Sequence, residues 1–169
     1  MDDLVAIRNC IDGDKDSFRF LVERYQHQAI GHATAILGNR EDASDAVQEA
    51  FIDAYRAINR FDFTRRFYPW FYVLLRNRCF KMLAAAGRRD TQRADEMEIL
   101  APQSESSIEA TLSLEAALLS LMLEDRELVT LKYLDGLSYQ ELAELLQIPK
   151  GTVMSRLFYA RRELQAKLT

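Results

Sequence analysis

Cysteine is nearly absent from this 169-residue chain: Cys10 and Cys79 stand alone and far apart. They make neither a metal-ligand spacing nor a disulfide framework, which suits a reducing compartment, and both are expected to be ordinary core residues. Glycine (6) and proline (3) are also scarce. Sheets need turns and turns use these residues, so their scarcity favours helices. No apolar run approaches the roughly 18 residues that span a bilayer, and the Met-Asp-Asp start lacks the positive charge of a signal peptide. Direct membrane insertion is therefore not expected, and the cytoplasm is. There is no Gly-rich phosphate loop and no nucleophile motif. His27 and His32 are five apart, on different sides of any helix, with no cysteine beside them. No catalytic residue, metal, cofactor or small-molecule substrate is expected.

What is present is a hydrophobic fraction of 49%, enough for a core, and an uneven charge distribution. Residues 1–64 carry 7 basic and 12 acidic side chains, net −5. Residues 65–93 carry 8 basic and 1 acidic, net +7. Residues 94–146 fall to −10 and residues 147–169 return to +4. Two basic blocks inside a chain of net charge −4 are places where phosphates could be neutralised, although either alone could be a solvated helix face.

Apolar spacing predicts helices throughout. Leu4, Val5, Ile7 and Ile11 mark a first, stopped at Gly13. Asp16 can cap a second, which keeps Phe18, Leu21, Val22, Tyr25, Ala29 and Ala33 on one face down to Gly38. Asn39 can cap a third, with Ala43, Val47, Ala50, Phe51, Ala54 and Ile58 inward and Asp42, Asp45, Gln48, Glu49 and Asp53 outward. After an aromatic and arginine-rich break at 59–68, Pro69 fits the first turn of a fourth helix running to Gly87. Residues 1–87 read as a four-helix unit. Residues 88–107, charged and ending in Gln103-Ser104-Glu105-Ser106-Ser107, read as a flexible linker. Helical spacing resumes from Ile108 to Leu123, and again over about 124–134 until Asp135-Gly136.

The strongest local signal follows. Ser138-Tyr139-Gln140-Glu141 has the form of a capping box. A short helix carries Leu142, Ala143, Leu145 and Leu146; Gln147-Ile148-Pro149-Lys150 makes a turn. A second helix starts near Gly151 and Thr152 and buries Val153, Leu157, Ala160 and Leu164. Lys150, Thr152, Ser155, Arg156, Tyr159, Arg161 and Arg162 are left outward or flanking. This is the pattern of a helix-turn-helix, which sets the start of a basic helix where it can enter a major groove. Its arginines can chelate guanine edges or hold phosphates.

With these segments laid out, the chain resembles the extracytoplasmic-function (ECF) sigma factors of the sigma-70 superfamily. "DRELVTLKYLDGLSYQELAELLQIPKGTVMSRLFYARREL" is similar to their region four, including the G-T-V-x-S-R-L and A-R-R-x-L elements. "REDASDAVQEAFIDAYRAINRF" is similar to the polymerase-binding helix of region two, and "FYPWFYVLLRNRCFKMLAAAGRR" to the promoter-melting helix after it. The resemblance implies an all-α protein of two small helical domains: a region-two domain over 1–87, a linker over 88–107 and a helix-turn-helix region-four domain over 108–169. It implies bacterial core RNA polymerase and promoter DNA as partners and, on resemblance alone, an anti-sigma inhibitor. Asp42, Asp45, Gln48, Glu49 and Asp53 match the face that binds core polymerase. Phe61, Phe63, Tyr68, Trp70, Asn77 and Lys81 match the surface that opens minus-ten DNA, with Arg88 and Arg89 on phosphates. Trp70 fits either the core or the wall of that DNA site.

Region four would read the minus-35 element, but Met154 and Tyr159 stand where many relatives carry basic residues. Met cannot donate a hydrogen bond to a base, so the promoter sequence cannot be copied from a relative. Gln147 replaces a common glycine in the turn, and Met122 a common proline. The alternative reading is a stand-alone helix-turn-helix regulator, which would need neither the acidic stripe at 42–53 nor the aromatic block at 61–72.

Overall fold

The computed structural model describes residues 2–90, 114 and 116–168, with side chains for all of these except 88–90. The chain divides into two compact units, Met1–Arg88 and Arg89–Thr169. Both are all-α: no strand occurs among the described residues. Of the linker expected over 88–107, residues 88–90 still belong to the helix that begins at Phe67, while residues 91–107 and the helix start expected at Ile108 lie outside the described residues.

The first unit has four α-helices: α1 (Asp3–Ile11), α2 (Asp16–Leu37), α3 (Arg40–Ala57) and α4 (Phe67–Asp90), with a 3-10 turn at Ile58–Arg60. Gly13 and Gly38 end α1 and α2 in left-handed conformations, at φ 105° and 80°. The cap of α2 is not Asp16, which is already helical. Asp14 does that work: its carboxylate accepts from the Asp16 N–H at 3.0 Å and from the Ser17 hydroxyl at 2.7 Å. Asn39 caps α3 by accepting from the Asp42 N–H at 2.8 Å. Pro69 lies in the first turn of α4, where its missing N–H is not needed.

The inward face of α1 is Ala6, Ile7 and Cys10; Val5 and Ile11, expected inside, remain exposed. Alanines at 29 and 33 on α2 and at 43, 46, 50 and 54 on α3 are fully buried. Their small side chains let these two helices approach along their length. Rings fill the wider space below. Phe71 of α4 stacks on Phe51 of α3 at 4.3 Å, and Phe67 lies 5.6 Å from Tyr25 of α2. Such pairs add about 0.5–1.5 kcal/mol each beyond burial, so α4 is fixed in rotation by its own N-terminal rings. Cys10 and Cys79 are buried in this core and are not disulfide-bonded. Burial, followed by the nearby Asp14 charge, pushes the Cys10 thiol up.

The second unit contains a helical stretch at residues 116–119, then α5 (Leu123–Tyr133), α6 (Tyr139–Leu146) and α7 (Lys150–Leu168). Both halves of the capping box form: the Glu141 N–H donates to Ser138 Oγ at 3.1 Å, and the Ser138 N–H donates to Glu141 Oε2 at 2.8 Å. Gln147 ends α6 in the left-handed region at φ 55°. Pro149 accepts from the N–H groups of Thr152 (2.9 Å) and Val153 (3.1 Å), so α7 begins at once, at Lys150. Leu128, Leu131, Leu142, Val153, Leu157 and Ala160 close the core of this unit. Arg126 secures the turn before α5, donating from Nε to the Leu118 carbonyl and from Nη2 to that of Leu119, both at 2.9 Å.

Candidate nucleic-acid interface

The alanine-rich inner face of α3 decides what its outer face can be. With Ala43, Ala46, Ala50 and Ala54 inward, Asp42, Asp45, Gln48 and Glu49 project outward and are exposed. Asp53 differs from these four. It is half-buried, and the Arg78 guanidinium of α4 donates to it. The same guanidinium lies 3.9 Å from Glu49, and Arg56 lies 3.9 Å from Asp53. The lower end of the acidic stripe is thus part of the joint between α3 and α4. Sequence reasoning missed Arg78 because it stands 25 residues from Asp53.

The aromatic block divides into buried and exposed members. Phe61 and Tyr68, expected on the DNA surface, are each only 6% exposed and belong to the core. Phe61 packs its ring edge-on to Trp70 at 5.3 Å. The Tyr68 ring lies 5.1 Å from that of Tyr25 and 5.9 Å from that of His32. Rings this little exposed offer a base no open face on which to stack. Phe63 is 39% exposed and carries the Arg8 guanidinium 5.6 Å from its centroid. Trp70 is half-buried: it rests on Phe61 and Phe67 and leaves part of its ring at the surface. It is core support and wall at once.

From Trp70 a stripe runs along α4 through Asn77 and Lys81, both exposed. Val73, exposed on the same stripe, was not singled out in the sequence, although the helical spacing 70, 73, 77, 81 would have found it. Before α4, the Asp62 carboxylate accepts from the Thr64 hydroxyl at 2.7 Å and the Thr64 N–H at 2.9 Å. These bonds hold it below the usual carboxylate range and fix the 61–66 turn that presents Phe63. The side chains of Arg88 and Arg89 lie outside the described residues.

On α7, Lys150, Ser155, Tyr159, Arg161 and Arg162 are exposed and Thr152 is half-buried. Arg156, read from the sequence as a DNA contact, has its guanidinium on Glu124 at 2.5 Å and lies 3.8 Å from Asp125. It joins α7 to the start of α5. Phe158, not singled out in the sequence, is exposed, with its ring 5.4 Å from that of Tyr159. Among the described residues no cluster could hold a metal ion, and no helix is long and apolar enough to cross a membrane.

Comparison with known families decides what these surfaces belong to. The model of sigma-70 region 2 matches residues 21–89, and that of sigma-70 region 4 matches residues 111–164. The chain belongs to the sigma-70 family. Its curated relatives place this sigma factor in the ECF branch. It is 34% identical to the ECF RNA polymerase sigma-E factor of Haemophilus influenzae, over 98% of this chain and 95% of that protein. It is 36% identical to the sigma-E factor of Escherichia coli, over 98% of this chain and 94% of that protein. Sigma factors are non-catalytic initiation factors, and this one directs promoter-specific transcription. The fold recurs in the sigma factor RpoE solved with the anti-sigma factor NepR from Bartonella quintana: TM-score 0.75, 23% identity, 89% of this chain and 96% of that one. An engineered region 2 of sigmaE, solved in complex with GTAAAA, is 39% identical with a TM-score of 0.50, over 53% of this chain and 93% of that one.

Proposed function

We propose that this sigma factor divides its work among three exposed faces. Asp42, Asp45, Gln48 and Glu49 on α3 meet bacterial core RNA polymerase, and an acidic face of this kind calls for a basic partner. Phe63, Trp70, Asn77 and Lys81 meet the opened minus-ten strand. There, ring stacking contributes about 1–3 kcal/mol per base, an amide reads a base edge, and an ammonium neutralises phosphate. The exposed face of α7 meets the minus-35 duplex, while Arg156 positions that helix from behind and Asp53 serves the α3–α4 joint. The chain itself carries no catalysis; nucleotide addition belongs to the polymerase. It works in the cytoplasm, and an anti-sigma protein, of the kind solved with the similarly folded RpoE of Bartonella quintana, is a further partner.

The observation that carries this reading is the segregation of charge onto separate faces. Exposed acids line α3, while the cations Lys81 on α4 and Lys150, Arg161 and Arg162 on α7 occupy other surfaces. Asp45→Arg tests it. Asp45 is exposed, so the variant keeps its helix content and melting temperature, yet it loses co-purification with core polymerase. Retained polymerase binding, or an unfolded variant, would contradict the assignment of this face.

A further inference from the structure

Between positions 154 and 159, α7 offers little to a guanine edge. Guanine shows two acceptors in the major groove, N7 and O6, and is read best by a bidentate arginine or by lysine. The arginine nearest the start of α7 is Arg156, and its guanidinium is on Glu124 at 2.5 Å and near Asp125 at 3.8 Å. The Ser155 hydroxyl donates to the Thr152 carbonyl at 3.1 Å. What stands exposed beside them is a thioether and two rings: Met154 at 50%, Phe158 at 49% and Tyr159 at 66%. Phe158 and Tyr159 support one another edge to face at 5.4 Å, and Arg162 lies 5.8 Å from the Phe158 centroid. Cations flank this surface at Lys150 on one side and Arg161 and Arg162 on the other.

An apolar strip between cations fits a duplex whose phosphates are held at the rim while methyl groups fill the middle. Thymine is the base that places a methyl, at C5, in the major groove. We propose that α7 selects its promoter element by the C5-methyl groups of thymine, contacted by Met154, Phe158 and Tyr159. Lys150, Arg161 and Arg162 hold the flanking phosphates. This rests on the reading of α7 as the minus-35 helix and specifies its substrate: a thymine-bearing element read by apolar contact, with guanine chelation absent at positions 154 and 159.

The test uses holoenzyme assembled from core polymerase and the full chain, with a promoter library randomised at the minus-35 element. Thymine is expected to be enriched at two or more positions. Replacing such a thymine by uracil removes the methyl and leaves the hydrogen-bonding edge intact, and should weaken binding about fourfold per methyl. Met154→Ala should erase the uracil effect at one position, and Tyr159→Arg should shift the selected base toward guanine at another. Enrichment of guanine-rich elements, or a thymine-bearing element indifferent to uracil, would overturn the methyl reading and leave α7 as the minus-35 helix. No enrichment of any sequence, with the strip instead shielded by a polymerase subunit, would overturn both.

Discussion

Replacing Arg78 by alanine removes the guanidinium that joins α4 to Asp53 and Glu49 of α3. The Arg78 and Asp53 side chains are 25% and 32% exposed. Their pair lies between exposed ion pairs, worth about 0.2–1 kcal/mol, and buried pairs, whose breaking costs about 3–5 kcal/mol. A loss of about 1.5 kcal/mol is expected. At about 2.1 cal/mol/K per residue, a unit ending at Arg88 unfolds with an entropy of about 0.18 kcal/mol/K, so Tm should fall by about 8 °C. The single tryptophan makes the assay selective, because Trp70 lies on α4 and its fluorescence follows the first unit. A double-mutant cycle with Asp53→Asn should give a coupling of about 1 kcal/mol. Single effects that simply add, within about 0.3 kcal/mol, would refute the joint. So would an Asp53→Asn variant with unchanged Tm and weakened polymerase binding, which would return Asp53 to the polymerase face.

Two further outcomes concern the caps. Gln147 holds φ 55°; a left-handed conformation costs an L-residue about 1–2 kcal/mol, whereas glycine gives up about 0.5–1 kcal/mol of entropy instead. Gln147→Gly should therefore raise stability by about 0.5 kcal/mol in urea unfolding, and a fall would contradict the strain. Asp14 is held below the usual carboxylate range, first by the Ser17 hydroxyl and further by the Asp16 and Ser17 N–H groups. Because its pKa is depressed by folding, its contribution is complete above the ordinary aspartate range and is lost as pH falls through the depressed value. A carboxyl NMR titration should show Asp14 protonating at lower pH than an unfolded aspartate, with amide exchange in the first turn of α2 rising in step. An ordinary midpoint would contradict this cap.

Features set by neighbours in the chain were legible in the sequence. The Asn39 cap, the Ser138–Glu141 box, the stops at Gly13 and Gly38, and the inner faces of α3 and, apart from the half-buried Leu164, of α7 each depend on spacing of a few residues. The α2 cap was misplaced because acids at 12, 14 and 16 all qualify locally, and the backbone chooses among them. Features set by distant partners were not legible. Phe61 and Tyr68 are buried by Trp70, Tyr25 and His32, rings supplied by α4 and α2. Arg156 is taken up by Glu124, 32 residues away. A polar or aromatic residue in a break or on a helix edge has no inherent side; the fold assigns it one.

The central claim is that the chain confers promoter choice on a polymerase. The most direct measurement is run-off transcription from a genomic fragment library by purified bacterial core polymerase, with and without the full chain. The account predicts a stable complex with core and new start sites that share minus-35 and minus-ten elements. Failure to bind core, together with specific binding of duplex DNA by the protein alone, would contradict it and point to a stand-alone regulator.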